Sequence, residues 1–171
     1  MRLFYIITTG GTIEKIYAEQ SGSVVNRASK IEQYLKLLRL PDCDVRVILL
    51  MNKDSLEMTE SDRAWLVSEL ALILPNDSPV IVAHGTDTMV ETGLYIARRI
   101  PNLYVPIILT GAMTPLGFEG SDGVQNLTES LLAARLLKPG VYVVIHGQVF
   151  PIDGVRKDKE RGTFVAIGES H

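Results

Sequence analysis

The sequence predicts a three-layer α/β domain with a mostly parallel sheet and helices on both of its faces. Two observations carry that reading. Apolar, β-branched runs at residues 3–8, 45–50, 80–83, 105–110 and 141–146 alternate with stretches of helical spacing, and such alternation builds βαβ units. The runs are also almost free of polar residues, as strands buried on both faces are. At 171 residues the chain is long enough for one domain with a sizeable core.

The elements follow in order. The first run ends in Thr8-Thr9-Gly10-Gly11-Thr12-Ile13. Residues 14–28 are polar, bear Gly and Ser, and lack periodicity, which reads as a long loop of functional use. Ile31, Leu35 and Leu38 then form an apolar stripe, with Ser29 as its cap. The second strand runs into residues 51–58. Thr59 and Asp62 have capping-box spacing ahead of a stripe of Trp65, Leu66, Leu70 and Ile73. The third strand delivers Ala83-His84-Gly85-Thr86-Asp87-Thr88-Met89, followed by the stripe Met89, Gly93, Ile96, Ala97, Ile100. The fourth ends in Gly111-Ala112-Met113-Thr114-Pro115, and Ser121-Asp122 caps the stripe Leu127, Leu131, Ala134. The fifth passes through Gln148-Val149-Phe150 into a charged segment that ends near Lys159. Pro41, Pro75, Pro101 and Pro139 each stand just past a helix, a normal stop. Trp65 and the methionines read as core. The expected arrangement is doubly wound and flavodoxin-like, one domain over residues 1–171.

Composition excludes several function classes. A net charge of −3 gives no pull toward nucleic acid or an anionic membrane. The one cysteine, Cys43, allows no intrachain disulfide and fits a reducing compartment. The N-terminal apolar run is too short for a signal peptide, and no run approaches the roughly 20 residues that span a bilayer. A cytoplasmic protein is expected. His84, His146 and His171 lack metal-ligand spacing, so neither metal nor cofactor is expected.

The loops leaving the carboxyl ends of the strands share one rim, which is where open α/β sheets bind ligands. That rim collects the hydroxyls of Thr12, Ser55 and Thr86, the Asp87 carboxylate, and the amines of Lys157 and Lys159. A threonine hydroxyl needs a neighbouring base to act as a nucleophile. A lysine beside Asp87 and Thr86 is suited to take that proton, and the N–H groups of Gly10, Gly11 and Gly85 are candidates to hold an oxyanion. Each residue also has an ordinary structural use. The glycines serve tight turns, Thr12 and Thr86 can cap helices, and Asp87 can favour the dipole of the next helix. Lys157 and Lys159 lie in a charged run that suits a solvated face, and the ring of His84 can satisfy backbone at its turn.

On these residues the chain resembles the N-terminal domain of the bacterial-type L-asparaginases, the glutaminase-asparaginase family of Thr-dependent amidohydrolases. Thr9 to Ile13 matches its Thr-Gly-Gly-Thr-Ile signature, and His84 to Met89 its His-Gly-Thr-Asp-Thr-Met signature. Gly111-Ala112-Met113 with Pro115, and Ser121-Asp122-Gly123 with Asn126, match two more segments. The resemblance spans residues 3–164.

The resemblance implies roles position by position. Thr12 falls on the first nucleophile, Thr86 on the second threonine, and Asp87 on the aspartate that helps hold the substrate's amino group. Ser55 falls on the serine that binds the α-carboxylate, with Asp54, Gly11 and Gly85 beside the substrate. Ala112 falls on the backbone that faces the scissile amide. The family lysine falls on Lys157 by ungapped matching from residues 143–145, or on Lys159 if Asp153-Gly154 sets the register. The implied reaction is hydrolysis of a small side-chain amide, such as that of asparagine, through an acyl-enzyme with release of ammonia. The family's mobile loop carries a tyrosine; Tyr17 is the one available here, although the matching position falls near Gly22. Leu56 stands where the family has a polar residue. The family's second domain, which supplies an acid from a neighbouring subunit, is expected to be absent. Glu14, Glu19 or Glu57 are then candidate replacements, and a homo-oligomer is the expected assembly. The alternative is a non-catalytic module that keeps the pocket to bind an amino acid or to assemble.

Overall fold

The computed structural model describes residues 1–18, 23–26 and 30–168; of residues 16–18 and 23–26 it describes the backbone alone. A six-stranded sheet forms the middle layer. Its strands are β1 (Arg2–Gly10), β4 (Cys43–Lys53), β5 (Val80–Ala83), β6 (Pro106–Thr110), β7 (Gly140–Ile145) and β8 (Gln148–Pro151), in the spatial order β4-β1-β5-β6-β7-β8. All neighbours are parallel except β7 and β8. The five parallel strands thus take the doubly wound, flavodoxin-like order, with one antiparallel strand added at an edge.

The helices are α1 (Ile31–Leu35), α2 (Glu60–Ile73), α3 (Met89–Arg99) and α4 (Gly123–Leu136). Strand alternation assigns the two faces. Tyr5, Ile7, Val80, Val82, Ile107 and Leu109 pack with Leu66, Leu70, Met89 and Ile96 of α2 and α3. Phe4, Ile6, Ile81 and Ile108 pack with Ile31 of α1 and Leu127 and Leu131 of α4. Both faces of the central strands are therefore dry, which explains their continuous apolar runs.

Local chemistry sets the helix ends. The Thr59–Asp62 capping box forms as its spacing requires: Asp62 N–H donates to Thr59 Oγ1 at 3.3 Å and Thr59 N–H to Asp62 Oδ2 at 2.8 Å. Ser121 Oγ accepts from Gly123 N–H at 3.0 Å, but Asp122 does not cap α4. Ser29, the expected cap of α1, lies outside the described residues. Trp65 is 51% exposed and stands off the core. Its neighbours Leu66 and Leu70 carry the buried stripe, and one residue of helix turns a side chain by about 100°.

Two regions read as loop prove to be strands. In the segment after β1, β2 (Lys15–Ala18) pairs antiparallel with β3 (Ser23–Asn26). Past β8, β9 (Val155–Asp158) and β10 (Thr163–Ala166) form a second two-stranded ribbon, with Val155 and Phe164 buried in the α2–α3 side of the core. β7 does not extend to residue 146. His146 (φ 51) and Gly147 (φ 76) form a two-residue turn with positive φ at both positions, and Ile145 pairs with Gln148 across it, the geometry favoured in tight hairpins. No helix among the described residues is long and apolar enough to cross a membrane.

Candidate active site

The carboxyl ends of β1, β4 and β5 meet through glycine. Gly11 has φ 81, and a Cβ placed there would fall 2.4 Å from the Cα and N of Gly85. A Cβ on Gly85 would fall 2.5 Å from Cβ and Oγ of Ser55. Gly111, after β6, lies equally tight on the His84 carbonyl. Absence of side chains here brings four loops into backbone contact, so Thr12, Ser55, Thr86 and Ala112 each adjoin this junction. β1 reaches it through a shift of register against β4: Thr8 pairs with Leu49 but Gly10 with Lys53, an irregularity of the kind that re-aims strand ends.

Thr86 is buried, and its hydroxyl meets Lys157. Nζ of Lys157 lies 2.7 Å from Thr86 Oγ1 and 2.8 Å from Asp87 Oδ1. The lysine side chain is only 17% exposed. It comes from β9, so of the two lysines left open by the sequence it is Lys157 that reaches this corner. Thr86 does not cap a helix; the position before α3 is Thr88, whose hydroxyl donates to the Ser55 carbonyl at 2.9 Å. That bond ties the β4 loop to the β5 loop. Ser55 is buried within a short 3-10 turn, Ser55–Glu57, opened by Asp54. The Asp54 carboxylate accepts from Leu56 N–H at 3.1 Å and pairs with Lys15 Nζ at 3.0 Å. The Leu56 N–H, then Lys15, hold its carboxyl below the ordinary carboxylate range. Leu56 itself is 72% exposed.

Thr12 opens a 3-10 turn, Thr12–Glu14, and is half-buried. No described side chain bonds its hydroxyl. The glycine N–H groups expected to hold an oxyanion are engaged internally: Gly10 N–H donates to Glu14 Oε2 and Gly11 N–H to the Lys53 carbonyl, both at 2.9 Å. Those two donors therefore shape the turn. Glu14 is buried beneath it, while Glu57 stays on the surface. Tyr17 lies on β2 with its backbone opposite Val24; its side chain, Glu19 and Gly22 lie outside the described residues.

Three further groups frame the corner. His84 is fully buried, and its Nδ1 donates to the Gly85 carbonyl at 2.7 Å. Burial is the main force that lowers its pKa, to about 4, so the ring is neutral and holds the turn. Ala112 is buried in the turn after β6. That turn is held by Asp122, which accepts from Met113 N–H and Thr114 N–H at 2.9–3.0 Å and lies 2.7 Å from His146 Nε2. Burial pushes the Asp122 carboxyl up, and those donors more than offset it, leaving the pKa lowered. The sequence reading gave Asp122 only a capping role and His146 none. A His-Gly pair between two apolar runs was the available signal for a tight turn. Among the described residues no His, Cys, Asp and Glu cluster could hold a metal.

Comparison with known proteins bears on this geometry. The family model for the asparaginase N-terminal domain matches residues 4–167. The chain belongs to the asparaginase family. The L-asparaginase of Thermococcus kodakarensis is 29% identical over 146 residues, 84% of this chain and 44% of that protein. A component of the glutamyl-tRNA(Gln) amidotransferase of Pyrococcus abyssi is 34% identical over 148 residues, 84% of this chain and 33% of that protein. Among solved structures, the thermostable T. kodakarensis L-asparaginase superposes with a TM-score of 0.86 at 25% identity, over 98% of this chain and 52% of that one. This asparaginase N-terminal-type chain thus spans less than half of these two relatives, and about half of the solved structure.

Proposed function

We propose that this chain hydrolyses the side-chain amide of asparagine or a related small amide through a threonine nucleophile, releasing ammonia. One observation carries the reading: Lys157 Nζ bridges Thr86 Oγ1 and Asp87 Oδ1 within hydrogen-bond distance. A hydroxyl, an amine and a carboxylate in one row form a proton relay beside a nucleophile. A purely structural ion pair has no need of the buried hydroxyl.

Thr12 Oγ attacks the amide carbon, and its proton leaves with the amide nitrogen as ammonia. The resulting Thr12 ester is cleaved by water: the hydroxyl goes to the acyl carbon, giving the free acid, and the water's other proton is relayed through Thr86 Oγ1 and Lys157 Nζ to the departing Thr12 oxygen, restoring its hydroxyl. Ser55 and Asp87 bind the two ends of the amino acid. Ammonia release from asparagine and glutamine, measured on the purified chain and on Thr12→Ala, tests the reading. Turnover that survives Thr12→Ala rules out this mechanism.

A second reading has its own support. The Gly10 and Gly11 N–H groups are engaged by Glu14 Oε2 and the Lys53 carbonyl rather than offered to an oxyanion. On that reading the pocket binds an amino acid without turning it over, and calorimetric binding of asparagine without ammonia release identifies it. On either reading the proposed assembly is a homo-oligomer, most simply a two-fold dimer; sedimentation measures it.

A further inference from the structure

A second polar cluster lies beside the site, centred on the His146 ring. Nε2 is 2.7 Å from Asp122 Oδ2, and Nδ1 is 2.7 Å from Thr163 Oγ1. A carboxylate only accepts, so Nε2 carries hydrogen toward Asp122. Nδ1 then accepts from the Thr163 hydroxyl when the ring is neutral and donates to it when the ring is charged. The hydroxyl turns to suit either, so the row is satisfied in both states.

The row joins two parts of the rim. At one end Asp122 holds Met113 and Thr114, and Asn126 Nδ2 donates both to Asp122 Oδ2 and to the Gly111 carbonyl, each at 2.9 Å. At the other end Thr163 pairs opposite Asp158, the residue after Lys157. The backbone of His146 is pinned as well: its N–H donates to Asn126 Oδ1 at 2.9 Å. A two-stranded ribbon such as β9–β10 is marginal alone. Buried Val155 and Phe164 press it onto the core, but apolar contact is non-directional. The His146 row supplies direction.

We infer that His146 is a positioning residue for Lys157: by joining Asp122 to Thr163 it docks the β9–β10 ribbon, and with it the Lys157 amine, against the turn that carries Ala112. The inference rests on the reading of Lys157 as the proton acceptor in amide hydrolysis, and it deepens that reading.

Variants of the full chain separate the tether from the fold. His146→Asn keeps a residue that tolerates left-handed backbone and keeps the N–H that reaches Asn126, but it is too short to bridge Asp122 and Thr163. Thr163→Val removes the hydroxyl at nearly equal size, and Thr163→Ser returns it. Each protein is treated with limiting acetic anhydride, and lysine acetylation is followed by mass spectrometry. Lys157 is expected to react severalfold faster in His146→Asn and Thr163→Val, and at the wild-type rate in Thr163→Ser. Lys53, paired with Asp62 away from the ribbon, serves as control and stays unchanged. With asparagine as substrate, the two untethered variants lose roughly 10- to 100-fold in kcat with KM little moved. An unchanged Lys157 rate in both variants overturns the inference, and so does an equal rise at Lys53, which would mark general loosening. A wild type that releases no ammonia sinks the functional reading instead, while the acetylation rates still decide whether His146 holds Lys157.

Discussion

The two threonines of the site are built by opposite means. Thr86 is furnished with side chains: its hydroxyl is buried, a lysine lies on it, and a carboxylate steadies the lysine. Thr12 is furnished with backbone: Gly10 and Gly11, both at positive φ, fold the turn against Lys53 and Gly85. On the proposed function, the first arrangement serves reactivity. The second creates proximity, because a side chain at Gly11 would push the β1 and β5 loops apart, and one at Gly85 would push the β5 loop from the β4 loop. A site made of both halves fails in two distinguishable ways, by losing rate or by losing shape.

The rate half is the more sensitive. Thr86→Ala and Lys157→Met should each lower asparagine turnover by roughly 10²- to 10⁴-fold, the range for removing one acid–base group, with little change in melting temperature. The two groups act as one unit, so the double variant should be no slower than the worse single. Additive losses in steady-state kinetics would show that they act separately.

The shape half should respond in stability. Gly11→Ala forces a side chain into a positive-φ position and onto the Gly85 backbone, at a cost of about 2–4 kcal/mol in urea unfolding. Gly85→Ala meets the Ser55 side chain instead, so it should raise KM more than it lowers stability. The reverse ranking of the two variants would undo the distinction between packing and binding at this junction.

His84 sits under both halves, and its ring must stay neutral. Its folded pKa is depressed, mainly by burial, from 6.5 to about 4. Its contribution is therefore complete above pH 6.5 and is lost as pH falls toward 4, with a span of order 3 kcal/mol. Urea midpoints at pH 7 and pH 4.5 should show this loss, and His84→Gln should flatten the part of the slope that belongs to the ring.

The smallest effect belongs to the rim. Lys15 and Asp54 form a part-exposed pair, so Lys15→Ala should cost below about 1 kcal/mol. Asp54→Ala also removes the N-cap bond to Leu56 and should cost about 1 kcal/mol more. Equal costs by thermal unfolding would mean that the cap contributes nothing.

Much of this was legible in the sequence, and the reasons are physical. The parallel strands announced themselves because both faces are buried, and glycine beside threonine marked the rim. Lys157 could be narrowed only to a pair with Lys159, since a charged run looks the same on a solvated face and on a ribbon turned inward. The ribbons β2–β3 and β9–β10 were missed because short strands carry too few alternating positions to outweigh polar composition. The engagement of the Gly10 and Gly11 N–H groups was invisible for a different cause: their acceptors, Glu14 and Lys53, are fixed by the turn and by a register shift that no local pattern encodes.

Lys157 reaches Thr86 across 71 positions of chain, from a ribbon that lies outside the main sheet. Order of synthesis therefore separates shape from chemistry. β1, β4, β5, β6 and β7 are all available once residue 145 has emerged, and the glycine junction can close at that moment. Lys157, the proposed proton acceptor, arrives later, with β9 and β10. From residue 145 until residue 157 is made, every strand that forms the crevice is present without that amine. Hydrogen exchange on stalled nascent chains that end before residue 155 tests it, with the amides of β1 and β5 already protected there.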